Sequence, residues 1–97
     1  MPASTEGLEQ RLSDQLMREG LSVTRWSNAP HAVYAAHDHP YHKVLYVVVG
    51  GITFTLESTG RWVAMKPGDR LEIPPRTSHS AVVGPDGVTC LEGHRSR

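Results

Sequence analysis

The chain reads as an antiparallel β protein, a sandwich or barrel, with one helix at its N-terminal end. Three observations lead there. From Leu21 onward apolar residues recur with period two, rich in Val, Ile, Thr, Tyr and Trp. The apolar segments are separated by stretches of Gly, Pro, Asn and Ser, the residues of turns. Helical periodicity is confined to one segment near the start, so nothing supplies the helical crossovers that parallel strands need.

Met1 to Ser4 reads as a disordered end. Thr5 to Glu19 is the helical stretch, with Leu8, Leu12 and Leu16 at i, i+4 and i+8 and Leu21 beyond Gly20. Ser4 or Thr5 can cap its start and Gly20 can end it. Its leucine stripe predicts a helix laid against something else. About eight strands follow: "LSVTRW", "HAVYAAH", "KVLYVVV", "ITFTLES", "RWVAM", "DRLEI", "HSAVVG" and "VTCLEG". "GG" after Val49 and "GPDG" before Val88 read as turns between strands, with "PDG" a tight turn.

The 97 residues are one domain in size. Residues 1–20 form a tail and packing helix, and 21–97 form the β domain. Lys plus Arg number 10 and Asp plus Glu number 10, so no basic excess points to nucleic acid and no charge block to a membrane surface. The apolar run Val44 to Val49 is far too short to span a bilayer, and the opening "MPASTEGLEQ" is polar and unlike a signal peptide. Cys90 is the single cysteine, which excludes an internal disulfide framework and reads as a small buried hydrophobe. These features predict a cytoplasmic protein. The expected exposed edges of its sheets predict a homodimer.

The chemistry concentrates in "HDHPYHK", His37 to Lys43. Residues two apart on a strand share a face, so His37 and His39 point one way, with Val33 and Ala35 extending that face. A His-x-His pair delivers two imidazole nitrogens suited to zinc, iron, nickel or copper. By itself it is also a common surface pattern. Strict alternation sends His42 to the opposite face, unless Pro40 makes the segment bulge.

A third histidine, His79, follows a Pro-Gly turn, a strand and a second proline turn in "KPGDRLEIPPRTSHS". With it the sequence resembles the cupin family. Against the first cupin motif the chain sets His37, His39, Lys43 and Gly50 at the family's spacing; against the second it sets Gly68, Pro74, Arg76, His79 and Val83. Three departures touch turns: His31 stands where the first motif has its leading glycine, Arg76 where the second has its turn glycine, and Val83 where it has asparagine. The fourth is chemical. Lys43 takes the slot of the usual metal-binding glutamate, and an ammonium does not ligate and repels a cation.

The resemblance implies an all-β, antiparallel double-sheet jelly-roll β-barrel with one N-terminal helix. It implies a divalent metal ion (zinc, iron, nickel, manganese or copper) held by His37, His39 and His79, with a small-molecule ligand in the barrel. It also supports the homodimer. Tyr41, His42 and Lys43 are candidates to line the site, Lys43 either turned to solvent or holding an anionic ligand. Three functions stay open: a metal-dependent enzyme of dioxygenase or isomerase type on a small anionic or oxygen-bearing substrate, a non-catalytic binding or sensing module, or a metal-free barrel. No general acid or base is evident beside the histidines. Glu72 reads as an exposed strand carboxylate, and Glu92 and His94 as a solvated edge. Trp26, Phe54 and Trp62 read as core or subunit-contact residues.

Overall fold

The computed structural model describes residues 4–95. Of the expected disordered end, residues 1–3 lie outside the described residues, and Ser4 is a helix N-cap whose Oγ accepts from Gly7 N–H at 2.9 Å. The elements run α1 (Thr5–Arg18), β1 (Ser22–Asn28), β2 (Val33–His37), β3 (Lys43–Leu56), β4 (Arg61–Met65), β5 (Arg70–Ile73) and β6 (His79–His94). Helix α1 ends at the Glu19 C-cap, and Gly20 takes the left-handed conformation that terminates it, φ +78°.

Among the described residues six strands stand where eight were expected, because two of the expected turns lie inside strands. "KVLYVVV" and "ITFTLES" are one strand, β3, and "HSAVVG" and "VTCLEG" are one strand, β6. The two pair antiparallel along their whole length, from Lys43↔His94 to Leu56↔His79. The register shifts between Val47 and Val49 and again between Gly50 and Ile52, opposite Gly87. These irregularities act as bulges, which bend a strand without ending it. They also change which face each residue takes. Leu45 and Val47 are inward before the bend and Ile52 and Phe54 after it, an odd step; on β6, Val83 and Val88 are inward across the same odd step.

The other four strands each pair with one half of this long ribbon. On one half the order is β1-β6-β3-β5; on the other it is β2-β6-β3-β4. The sheet therefore has open edges on both halves, and among the described residues no pairing joins β1 to β5 or β2 to β4. This overturns the expected closed jelly-roll β-barrel: the fold is mostly β with one N-terminal helix, but a single bent six-stranded sheet. The physical reason is strand length. Only β3 and β6, of 14 and 16 residues, traverse both halves, while β2, β4 and β5 have 4 or 5 residues and finish within one.

Two cores result. The inner face of the bend packs Leu45, Val47, Ile52, Phe54, Met65, Ile73, Ala81, Val83, Val88 and Cys90. The outer face of the β1-β6-β3-β5 half packs Val44, Tyr46, Val48 and Leu91 against Leu16 and Leu21 of the helical segment. "KVLYVVV" is unbrokenly apolar after its lysine because both its faces are covered. Arg70 ties the helix end to the sheet. Its Nη1 and Nη2 donate to Glu19 Oε2 and Oε1 at 2.7 and 2.8 Å, Nη1 donates to the Tyr46 hydroxyl at 2.8 Å, and Nη2 donates to Glu72 Oε2 at 3.1 Å.

Two outcomes follow from this packing. Gly50 has φ +78°, and a Cβ there would overlap the Gly87 carbonyl oxygen, whereas Gly60 has φ +70° with open space around it. Gly50→Ala is expected to lower stability in urea denaturation by more than about 3 kcal/mol, and Gly60→Ala by about 1 kcal/mol, the cost of backbone strain alone. Equal effects would show that the close approach at the bend is not tight. The second concerns pH. The Arg70 hydrogen bonds hold the Glu19 carboxyl at about 2, well below the usual carboxylate range. A depressed native pKa stabilises fully above the unfolded value of about 4.3 and is lost as pH falls toward the native one. The parent should lose stability between about pH 4.5 and 2 more steeply than Glu19→Gln, measured by urea midpoints across that range.

Candidate functional site

His37 closes β2, and β2 pairs with β6 so that His37 lies directly opposite His79. This cross-strand pairing brings the two rings, His37 exposed and His79 buried, to 4.5 Å between centroids. His39 stands half-buried in the loop between β2 and β3, its ring 4.9 Å from His37 and 5.5 Å from His79. That loop is held from the far side of the sequence: Arg76 N–H donates to His39 O at 2.7 Å. Arg76 reaches it from a left-handed backbone, φ 57°, and His31 is likewise left-handed at φ 65°. Both positions are those where the cupin motifs have glycine, so the turn shape persists although its usual residue is gone.

The alternation argument placed Val33 and Ala35 on the histidine face, and the structure does not. The β2–β6 register shifts between Tyr34 and His37. Tyr34 lines the cavity with His37, an odd step apart, while Val33 is 72% exposed on the outside. A bulge resets the face midway along a five-residue strand.

The ligating nitrogens of His37, His39 and His79 all lie within 4.8 Å of one another. His37 Nδ1 donates to Ala35 O at 2.7 Å and His79 Nδ1 to Thr77 O at 2.8 Å, both to the carbonyl two residues back. Each bond fixes the tautomer with its lone pair on Nε2. Nε2 of His39 and of His79 are buried without a hydrogen-bond partner among the described residues. His79 is 1% exposed. Burial, followed for His39 by the nearby Lys43 charge, lowers the pKa of both His39 and His79 below the ordinary histidine value. For His79 the bond to Thr77 opposes the shift, and His37 and Lys43 add to it. Two buried, unpaired nitrogens with that of His37 close beside them suit a divalent transition metal, so the three residues can hold one.

These rings open on a cavity of about 310 Å³. Its aromatic walls are Trp26, Tyr34, Tyr41 and Phe54, and Lys43 and Glu92 add charge. Lys43 is turned inward, 9% exposed, with Nζ 3.3 Å from Glu92 Oε1. Tyr41 stacks on His39 at 5.0 Å and leans on His94 at 4.7 Å, and burial raises its hydroxyl pKa. His42 is not part of the lining: its Nε2 lies 3.1 Å from Glu72 Oε1 on the other face, where alternation sends it. Glu72 is exposed and serves Arg70 and His42.

Glu92 is the residue that sequence reasoning missed. Its carboxylate accepts from Trp26 Nε1 at 3.1 Å and belongs to the cavity rather than to a solvated edge. The parity change at the bend of β6 brings Glu92 to the face of His79, thirteen residues earlier. Trp26 and Phe54, read as core or contact residues, also line the cavity, while Trp62 is 72% exposed. Among the described residues no helix is long and apolar enough to cross a membrane.

No curated protein matches the chain. Solved structures do. A structure of the DMSP lyases RdDddP and RnDddQII is 25% identical with a TM-score of 0.72, over 78% of this chain but only 38% of that one. An RmlC-like cupin from Shewanella frigidimarina is 26% identical with a TM-score of 0.67, over 76% and 64% of the two chains. KdgF from Halomonas sp. is 29% identical with a TM-score of 0.67, over 79% and 71%. The chain thus spans little more than a third of the lyase it matches. The cupin-domain family model matches residues 17–91, which include the three histidines, Lys43 and most of the bent sheet, and the chain belongs to the cupin superfamily.

Proposed function

We propose that this protein is a metal-dependent cupin in which His37, His39 and His79 hold one divalent ion and the adjoining cavity receives a small anionic or oxygen-bearing molecule. The observation that carries this reading is the convergence of three imidazoles with two Nε2 atoms buried and unpartnered. A buried polar atom without a partner is costly, and a bound ion removes that cost. When bound, the ion would supply Lewis-acid polarisation of a ligand oxygen. Three neutral ligands leave its charge uncompensated, which favours an anionic fourth ligand from outside the protein. Zinc, iron, nickel, manganese and copper all accept such a donor set in part or whole.

The chain's own residues do the rest. The aromatic walls exclude water and hold the apolar body of a ligand. Lys43, in the slot of the usual glutamate, presents a positive charge instead of a fourth protein ligand. Among the similar structures, the DMSP lyase and a polyketide cyclase from Streptomyces resistomycificus, 25% identical with a TM-score of 0.68, are enzymes by name. They support a catalytic role here, with a non-catalytic binding or sensing module as the alternative. A cytoplasmic location is part of the same reading.

The homodimer is also part of it, and the outer face of the β2-β6-β3-β4 half supports it. There Val33, Val82, Thr53 and Ala64 form one uncharged row across four strands, with Trp62 beside it. Val33 and Trp62 are 72% exposed and Val82 50%. Helix α1 covers only the other half, so a second copy is the occupant this uncharged, exposed apolar face fits.

Elemental analysis of the purified protein should find about one divalent ion per chain, the stoichiometry of one three-histidine site. His39→Ala and His79→Ala should each lose most of it while circular dichroism shows a retained fold. Unchanged metal content in either variant would refute the assignment. For the dimer, sedimentation velocity at tens of micromolar should give two copies for the parent and one for Trp62→Glu. A monomeric parent would end that part of the reading.

A further inference from the structure

Glu92 reaches the cavity with its two oxygens in different circumstances. Oε1 is engaged by Trp26 Nε1–H at 3.1 Å and faces Lys43 Nζ at 3.3 Å. Oε2 takes no hydrogen bond among the described residues and is not fully buried, since the unpartnered buried atoms are all histidine nitrogens, and Glu92 is among the residues that line the cavity. The side chain as a whole is largely buried. The groups around it are Lys43 from β3, Trp26 from β1, His39 and Tyr41 from the loop before β3, and Cys90 and His94 from its own strand. Lys43 is the one cation among them. A carboxylate with one oxygen clamped and the other open, beside a ligand position, has the geometry of a proton acceptor.

We propose that Glu92 is the proton acceptor of this cavity, and that the cavity takes weak oxygen acids (enols, hydroxamic acids, phenols) as neutral molecules and holds them as anions between the three-histidine centre and Lys43. The ligand O–H bond breaks, its electron pair stays on the ligand oxygen, and a new O–H bond forms at Glu92 Oε2. Negative charge passes from Glu92 to the ligand, so Lys43 has one anionic neighbour before and after. The net charge of the cavity is unchanged. No ion has to be stripped of water on entry, which is the costly route into a buried site. The transfer proceeds because the ligand anion meets both Lys43 and the ion at the histidines.

This inference rests on the metal reading above, and its test separates the two. Zinc is titrated first, then acetohydroxamic acid is titrated into the zinc-loaded protein by calorimetry in two buffers of different ionisation enthalpy, which counts protons released per ligand bound. The parent should bind the acid and release almost no proton, because Glu92 keeps it. Glu92→Gln should release about one. The double variant Lys43→Met/Glu92→Gln, which leaves no unpaired buried charge to disturb folding, should also release about one. Zinc binding followed by release of a full proton from the parent would overturn the proposal and leave the metal reading standing. Retention of the proton by Glu92→Gln, or failure of the zinc-loaded parent to bind the acid, would overturn it as well. Failure to bind zinc, seen in the first titration, would remove both.

Discussion

The pairing of β3 with β6 across the bend at Gly50 and Gly87 is the constraint on which the rest of the molecule depends. Every other strand hydrogen-bonds to one of these two, and the helix packs on their outer face. The bend turns one sheet back on itself and so makes an inside without closing a barrel. It also shifts parity on both strands at once, so the inward residues of the two halves belong to opposite sequence parities. Lys43 and Glu92 face the cavity from one half, and His79 from the other. A ribbon without the bulges would turn either Lys43 and Glu92 or His79 out of the cavity, because alternation has period two.

The cavity's electrostatics follow from what this bend buries. Two rings are tethered through Nδ1 to carbonyls two residues back, so their Nε2 atoms are free. Burial and the ammonium of Lys43 keep His39 uncharged, which readies it for a metal rather than a proton. Lys43 in turn needs Glu92. Removing one partner of a buried ion pair costs about 3–5 kcal/mol, because the remaining charge has been taken out of water. The pair therefore places a lysine in the glutamate slot at a tolerable cost, and it leaves the second carboxylate oxygen without a hydrogen bond among the described residues.

On the outer face the helix is held by two unlike forces. Leu16 and Leu21 bury their side chains against Val44, Tyr46, Val48 and Leu91, and truncating a leucine so buried costs about 3 kcal/mol. Arg70 then closes the helix end by bidentate contact with Glu19, with its guanidinium 5.4 Å over the Tyr46 ring. Through Glu72 the same arginine reaches His42, in the loop that carries His39. The helix thus braces the loop that carries His39 from behind without lining the cavity.

Much of this was legible in the residues alone. The leucine stripe and its cap mark α1, the period-two segments mark the strands, and the spacing of His37, His39 and His79 marks the candidate site where the three rings cluster, because motif spacing encodes how far apart two ends of a β segment return. The left-handed backbones at His31 and Arg76 show how strongly that spacing governs the turns even without glycine. Tertiary structure decided what local pattern cannot express. "GG" and "GPDG" are turn chemistry in isolation, yet each is absorbed as a bulge because its strand has a comparably long partner to continue beside. Whether a sheet closes depends on strand lengths and edge pairings summed over the whole chain, and here four short strands leave it open. Glu92 gave no signal, since a glutamate near a strand end is ordinarily solvated. Only the odd step in β6, forced by its pairing with β3, turns that carboxylate into the cavity beside Lys43.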